Sequence, residues 1–189
     1  MKASKDPAPV ARARPKTRLE ASRILVAAAK LLEAGGSDFS MRELARALGV
    51  DPMALYHYFP NKTALLHALA DQHFARLGSL DLPEDAQTPL AKLRCIAQAY
   101  VDLAVAAPML TVVMARDPGA RDSVAGHFAR LFHAAVAGLG MTDTQARIAM
   151  AVFADYLNGF SIAGIAASDP SLLDGVDCLY RGLAPHIGR

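Results

Sequence analysis

The chain has 189 residues, 53% of them apolar and 20% charged, with a formal net charge of +2. That is enough apolar material for a buried core, which excludes a disordered protein, and the longest uncharged stretches, Leu103 to Ala115 and Tyr156 to Ser168, are too short to cross a bilayer. The modest net charge hides an asymmetry: residues 1–76 hold 12 Lys and Arg against 7 Asp and Glu, whereas the remainder holds 8 against 11. A basic N-terminal third suits a polyanionic partner, and an acidic remainder does not need to touch it.

The first 16 residues combine prolines and alanines with Arg12, Arg14 and Lys16, a composition that buries little and reads as a flexible basic arm. No apolar run follows it, so it is not a secretory signal and a cytoplasmic protein is expected. Thr17-Arg18-Leu19-Glu20 has the form of a capping box, and Ile24, Leu25, Ala28, Leu31 and Leu32 follow at helical spacing until Gly35-Gly36. Ser40-Met41-Arg42-Glu43 is a second capping box, opening a short helix that stops at Gly49. Asp51-Pro52 starts a third helix, closed by Phe59-Pro60, and Asn61 caps a fourth that carries Leu65, Leu66, Leu69 and Phe74. The polar stretch from Gly78 to Thr88 reads as a joint.

Beyond the joint every segment reads as helix, with breaks at Pro108, Asp117-Pro118-Gly119, Gly138 to Gly140 and Asp169-Pro170. Four longer helices and a short one near Met109 to Met114 are expected, and no strand. The fold class is therefore all-α with about nine helices. The joint divides the chain into an N-terminal unit, residues 17–77, and a helical C-terminal unit, residues 78–189.

Met41 to Phe59 carries the function. Leu44, Leu48, Val50, Leu55 and Tyr58 join two short helices at a steep angle, Ala45 is small where they cross, and Gly49 sits where the turn needs a positive φ. Such a unit lays its second helix in the DNA major groove. Pro52, Met53 and Ala54 open that helix with few hydrogen-bonding groups and suit thymine methyls better than bidentate base pairing.

At these residues the chain resembles the TetR family of bacterial repressors: Ser40-Met41-Arg42-Glu43-Leu44-Ala45, Leu48-Gly49-Val50, Leu55-Tyr56-His57-Tyr58-Phe59 and Asn61-Lys62, behind an amphipathic first helix. The resemblance covers roughly a third of the chain. It implies an N-terminal three-helix DNA-binding domain with a helix-turn-helix over residues 17–77 and a helical ligand-binding and dimerisation domain over 78–189. The implied assembly is a homodimer on a near-palindromic double-stranded operator, released when a small-molecule inducer enters the C-terminal region. It also implies phosphate contacts from Tyr56 and Lys62, a backbone or base contact from Arg42, and a recognition helix that includes His57 and Tyr58. Arg18 and Ser40 complete the expected DNA-binding set with the basic arm.

The helix expected from Thr142 to Ala167 is apolar on two seams. One holds Ile148, Val152, Asp155, Gly159, Ile162 and Ala166, and the other Met150, Phe153, Leu157, Phe160 and Gly164. A helix buried on both sides needs partners on both. A second copy is expected to dock through this helix and the last one, using Val152, Asp155, Gly159, Ile162, Ala163, Ala166, Val176, Leu179 and Leu183; the last helix continues to Ile187. Tyr100, Met109, Met114, His127, Phe128, Phe132, Phe153, Tyr156 and Phe160 are the candidate lining of an inducer cavity.

Neither a cofactor nor a metal is expected. Cys95 and Cys178 lie in separate apolar patterns without C-x-x-C spacing and suit reduced, buried thiols. Gly159-Phe160-Ser161-Ile162-Ala163 lacks the strand-to-helix turn of a nucleophile elbow, and His67 and Asp71, near His73, lack a third convergent ligand. Two other classes stay open: a helical carrier or enzyme with an incidentally basic N-terminus, and an architectural or activating DNA-binding protein without an inducer.

Overall fold

In the computed structural model the described residues, 18–35 and 38–183, form nine α-helices and a few three-ten turns, with no strand among them. The helices are α1 Ala21–Gly35, α2 Met41–Leu48, α3 Pro52–Tyr56, α4 Lys62–Phe74, α5 Pro89–Ala106, α6 Pro108–Arg116, α7 Pro118–Val136, α8 Asp143–Ile162 and α9 Pro170–Leu183. Thr17, the basic arm with Arg12, Arg14 and Lys16, and Ile187 lie outside the described residues.

Local chemistry sets most of these starts. Proline is the first residue of α3, α5, α6, α7 and α9, where its fixed φ fits and its missing N–H costs no hydrogen bond. The side chains of Ser40, Asp51, Asn61, Thr88, Asp117 and Thr142 accept from backbone N–H groups in the first turns of α2 to α5, α7 and α8. Ser40–Glu43 is a complete capping box, as its sequence implied, and Thr142–Gln145 is another. Gly49 closes α2 at φ 68°, and its N–H and that of Val50 return to carbonyls of α2.

Three helix boundaries and the burial of both thiols differ from the sequence reading. α1 begins at Ala21, after Glu20, whose carbonyl accepts from Ile24 N–H, so the cap sits three residues later than Thr17. α3 ends at Tyr56 rather than at Phe59, because the N–H groups of Tyr58 and Phe59 both turn back to the Leu55 carbonyl. α8 ends at Ile162, five residues short of Ala167, where Gly164 takes φ 71°. Neither thiol is buried: Cys95 is half-buried, and Cys178 is exposed on the outer side of α9.

Two hydrophobic cores result. The first joins α1 to α4 through Ile24, Ala28, Leu44, Leu55, Phe59 and Leu65; the second fills the C-terminal body around Phe74, Ile96, Phe128, Phe132, Phe153 and Leu157. α4 belongs to both, giving Leu65 and Leu69 to the first and Ala70 and Phe74 to the second. Leu110, from α6 of the body, is buried in the first core.

α4 is also tied to α7. His67 Nε2 lies 2.8 Å from Asp117 Oδ2, while Asp117 Oδ1 accepts from Gly119 N–H at the start of α7. His127 Nε2 on α7 lies 3.0 Å from Asp71 Oδ1. A side chain at Gly119 would begin 2.6 Å from the His67 ring, so this crossing requires glycine. Arg94 on α5 forms a bidentate pair with Asp177 on α9.

Four carboxyls are held below the ordinary range: Glu43 by the Ser40 N–H, Asp117 by His67, Asp169 by the Ser171 side chain and Asp177 by Arg94. Depressed folded values mean that their stabilisation is complete above the unfolded pKa, about 4, and is lost as pH falls through the folded values. Asp177→Asn should therefore flatten the acid limb of the stability curve below about pH 4, measured by urea denaturation at stepped pH; an unchanged limb would refute the assignment. Gly49→Ala should lower the unfolding free energy by about 1–2 kcal/mol in the same assay at neutral pH.

Candidate functional site

The helix-turn-helix is α2 and α3, crossing over Leu44, Ala45 and Leu55, all buried. With these residues turned inward, the opposite side of α3 faces outward. Met53 is 65% exposed, Tyr56 and His57 are exposed, and Pro52 and Ala54 are half-buried at the base of the same surface. Arg42 on α2 is exposed, as is Arg18 ahead of α1.

Three residues assigned to DNA also make contacts within the chain. The Ser40 hydroxyl accepts from Glu43 N–H at 3.2 Å and donates to Glu43 Oε2 at 2.9 Å, so it is engaged in the cap. The Tyr58 hydroxyl donates to the Leu19 carbonyl at 2.5 Å, tying the root of the basic arm to the segment just beyond α3. Lys62 Nζ lies 4.8 Å from the centre of the Phe39 ring, a cation–π contact that keeps the ammonium beside the mouth of the motif. Arg23 on α1 donates to the Leu48 carbonyl at 3.5 Å, bracing the turn from behind.

The structure brings most of the candidate inducer residues together, and they fill the space between them. Tyr100, Phe128, Phe132 and Phe153 stack and cross with ring centres 5.6–6.2 Å apart, and Met114 and Phe160 are buried in the same core. The Tyr100 hydroxyl donates to Asn158 Oδ1, and burial pushes its pKa up. His127 is engaged by Asp71, and the Tyr156 hydroxyl reaches the carbonyls of Ser171 and Leu172 at 3.0 Å, at the start of α9. Met109 stands apart, in a cleft of about 380 Å³ between α1, α4 and the α5–α6 bend. Phe132 and Phe153 border a different cleft of about 470 Å³, with Leu93, Met141 and residues of α8 and α9.

Of the two seams on α8, Phe153, Leu157 and Phe160 face the body core, while Ile148, Val152, Asp155, Gly159 and Ile162 face outward. Ile148 is 61% exposed, Val152 49% and Ile162 52%. Ala163 and Ala166 are exposed just beyond the helix end. On α9, Leu179 and Leu183 are half-buried beside this surface, but Val176 is fully buried against the protomer's own core and is unavailable to a second copy.

The residues weighed as catalytic or metal-binding have local partners. Ser161, inside α8, donates to the Leu157 carbonyl at 2.7 Å. His67 and Asp71 each pair with a different residue of α7, and the described residues hold no cluster of three His, Cys, Asp or Glu suited to a metal. The α4–α7 pairs were missed in the sequence because their members lie 50 and 56 residues apart. No single described helix is long and apolar enough to cross a membrane; α5 and α6 pass that test only together and are bent by 103°.

Residues 24–69 match the family described as "Bacterial regulatory proteins, tetR family". The tetracycline repressor protein class A from transposon 1721 of Escherichia coli is 41% identical over 68 residues, which is 35% of this chain and 32% of that protein, so the match spans about a third of the repressor's length. Over the whole fold the chain is similar to BioQ of Mycobacterium smegmatis, with a TM-score of 0.77 at 26% identity, covering 89% of this chain and 99% of that one. A BioQ structure with its natural double-stranded DNA operator gives 0.75 at 27% identity, covering 89% and 100%. Residues 24–69 thus carry the pattern of the TetR family of bacterial regulatory proteins, in a chain whose described fold is similar to that of BioQ.

Proposed function

We propose that the chain is a transcription regulator, not an enzyme, which binds a near-palindromic operator as a homodimer, represses by occupancy and leaves when a small apolar molecule enters the body. The outward face of the helix-turn-helix carries this reading. Leu44, Ala45 and Leu55 are turned in, and Met53, Tyr56, His57 and Arg42 are left exposed. The similarity to a BioQ bound to its operator supports the same surface as the reading head.

α3 is only five residues long, so one copy reaches few bases. Met53 offers an apolar contact to thymine methyls, Arg42 a charged one to backbone or base, and Tyr56 and Lys62 contacts to phosphates. Two copies related by a two-fold axis read half-sites about 34–36 Å apart, or a multiple of that spacing.

The outer seam of α8, with Leu179 and Leu183 of α9, is the face we assign to the second copy. Its large apolar side chains Ile148, Val152 and Ile162 are exposed in the single chain and would be covered by a second copy, and the small Gly159 lets two such helices approach closely. Ile148 and Val152 also border the 470 Å³ cleft, so pairing would enclose it. An inducer held there, against Phe132 and Phe153, would alter how the copies sit and hence the spacing of the reading heads, provided that it binds the released state more tightly.

Light scattering should show a dimer at micromolar concentration. Ile148→Glu with Val152→Glu, both at exposed positions, should give a folded monomer without operator binding; a double variant that still dimerises and binds operator would place the interface elsewhere. In gel shifts against the DNA upstream of its own gene, Arg42→Ala and Tyr56→Phe should each weaken specific binding by about 1–3 kcal/mol. Phe153→Ala should blunt ligand-dependent release more than operator affinity. A chain that binds operator but is released by no ligand in a broad screen would be an activating or architectural member instead.

A further inference from the structure

The cleft that holds Met109 differs from the rest of the molecule in what encloses it. α1 supplies one wall, α4 the second, and the bend between α5 and α6 the third, so its walls join the helix-turn-helix unit to the body, and the core residues among them, Leu25, Leu32, Leu69 and Leu110, belong to the first core. At about 380 Å³, open on one side, it falls within the range of small-molecule sites. Its floor is apolar, with Leu25, Ala29, Leu69 and Met109, and its hydrogen-bond donors gather on one wall, Gln72 near the end of α4 and Arg76 in the three-ten turn that follows it.

Arg76 is exposed and makes no ion pair among the described residues. His73, between the two, is engaged by the Leu103 carbonyl at 2.8 Å, so Gln72 and Arg76 are the donors left for an occupant. Across the cleft stands one acid, Glu33 on α1. Two donors on one wall favour a single negative charge, and Glu33 opposes a second. We infer that this cleft is an effector site separate from the body cleft, for a small amphipathic monoanion whose apolar part lies on Leu25, Ala29 and Met109 and whose carboxylate meets Arg76.

The position gives the occupant leverage. Leu110, next to Met109, is buried in the first core, so the start of α6 is the body's insertion into the reading head. A molecule wedged between Leu25, Leu69 and Met109 changes how far α1 approaches that insertion. Occupancy of the cleft does not depend on the regulator reading; only its consequence for operator affinity rests on it.

Methionine methyl NMR on the full chain tests the site, because Met109 lines this cleft and Met141 lines the body cleft. Titration with decanoate should shift the Met109 signal saturably and leave Met141 in place. Decanol should bind at least several-fold more weakly, Arg76→Ala should weaken decanoate about tenfold, and Ala29→Phe, which fills the floor, should abolish the shift while Met141 still reports a folded body. The inference is overturned if only Met141 responds, if Met109 shows no saturation, if decyltrimethylammonium binds as well as decanoate, or if Arg76→Ala makes no difference. Operator affinity of the unliganded chain, measured alongside, tests the regulator reading by itself, so either can fail without the other.

Discussion

α4 buries Leu65 and Leu69 with the helix-turn-helix and, one turn on, Ala70 and Phe74 with the body. This continuity of one rigid helix through two cores is the constraint on which the rest depends. Losing a fully buried phenylalanine such as Phe74 typically costs about 3–5 kcal/mol. The His67–Asp117 and His127–Asp71 pairs are partly exposed, and pairs of that kind are worth about 0–1 kcal/mol each. Burial therefore holds α4 in place, and the pairs chiefly fix its register on α7. Any rotation of the reading head must move α4 against α7 or bend it, and Gly119, with no room for a side chain beside His67, leaves little slack.

The sequence made the reading head legible because its determinants are local. The Ser40–Glu43 capping box, the left-handed Gly49, the Asp51-Pro52 start and the Asn61 cap are each fixed by residues at most five positions apart, and all four stand where the sequence put them. Helix ends were less legible where two signals competed. Apolar spacing carried α8 on to Ala167, but Gly164 at positive φ stopped it at Ile162. Thr17 looked like a cap, yet the first turn forms behind Glu20.

The body was legible as helices but not as a site. Spacing told that Phe128, Phe132 and Phe153 lie on inward faces, not whether they meet or stand apart around a space. In the folded chain the rings meet, and cleft volume is found instead at the α5–α6 bend, away from the rings, and beneath the outer seam of α8, where Phe132 and Phe153 border it. Val176 shows the same limit: its stripe on α9 was plain, but which of two apolar surfaces it would cover was decided by packing across α5, α8 and α9.

The two clefts bear on the two freedoms that a paired reading head would have. The body cleft lies under the face assigned to the second copy, so a molecule there would act on the relation between copies. The junction cleft lies between α1 and the start of α6, so a molecule there would act on the relation between each head and its own body. The proposed half-site reading by a five-residue α3 would depend on both relations at once, because a short helix tolerates little error in either spacing or tilt. Ligand effects from the two clefts would thus converge on one quantity, the fit of two α3 helices to two grooves. α4 lines the junction cleft directly and is joined through Phe74 to the core that the body cleft borders.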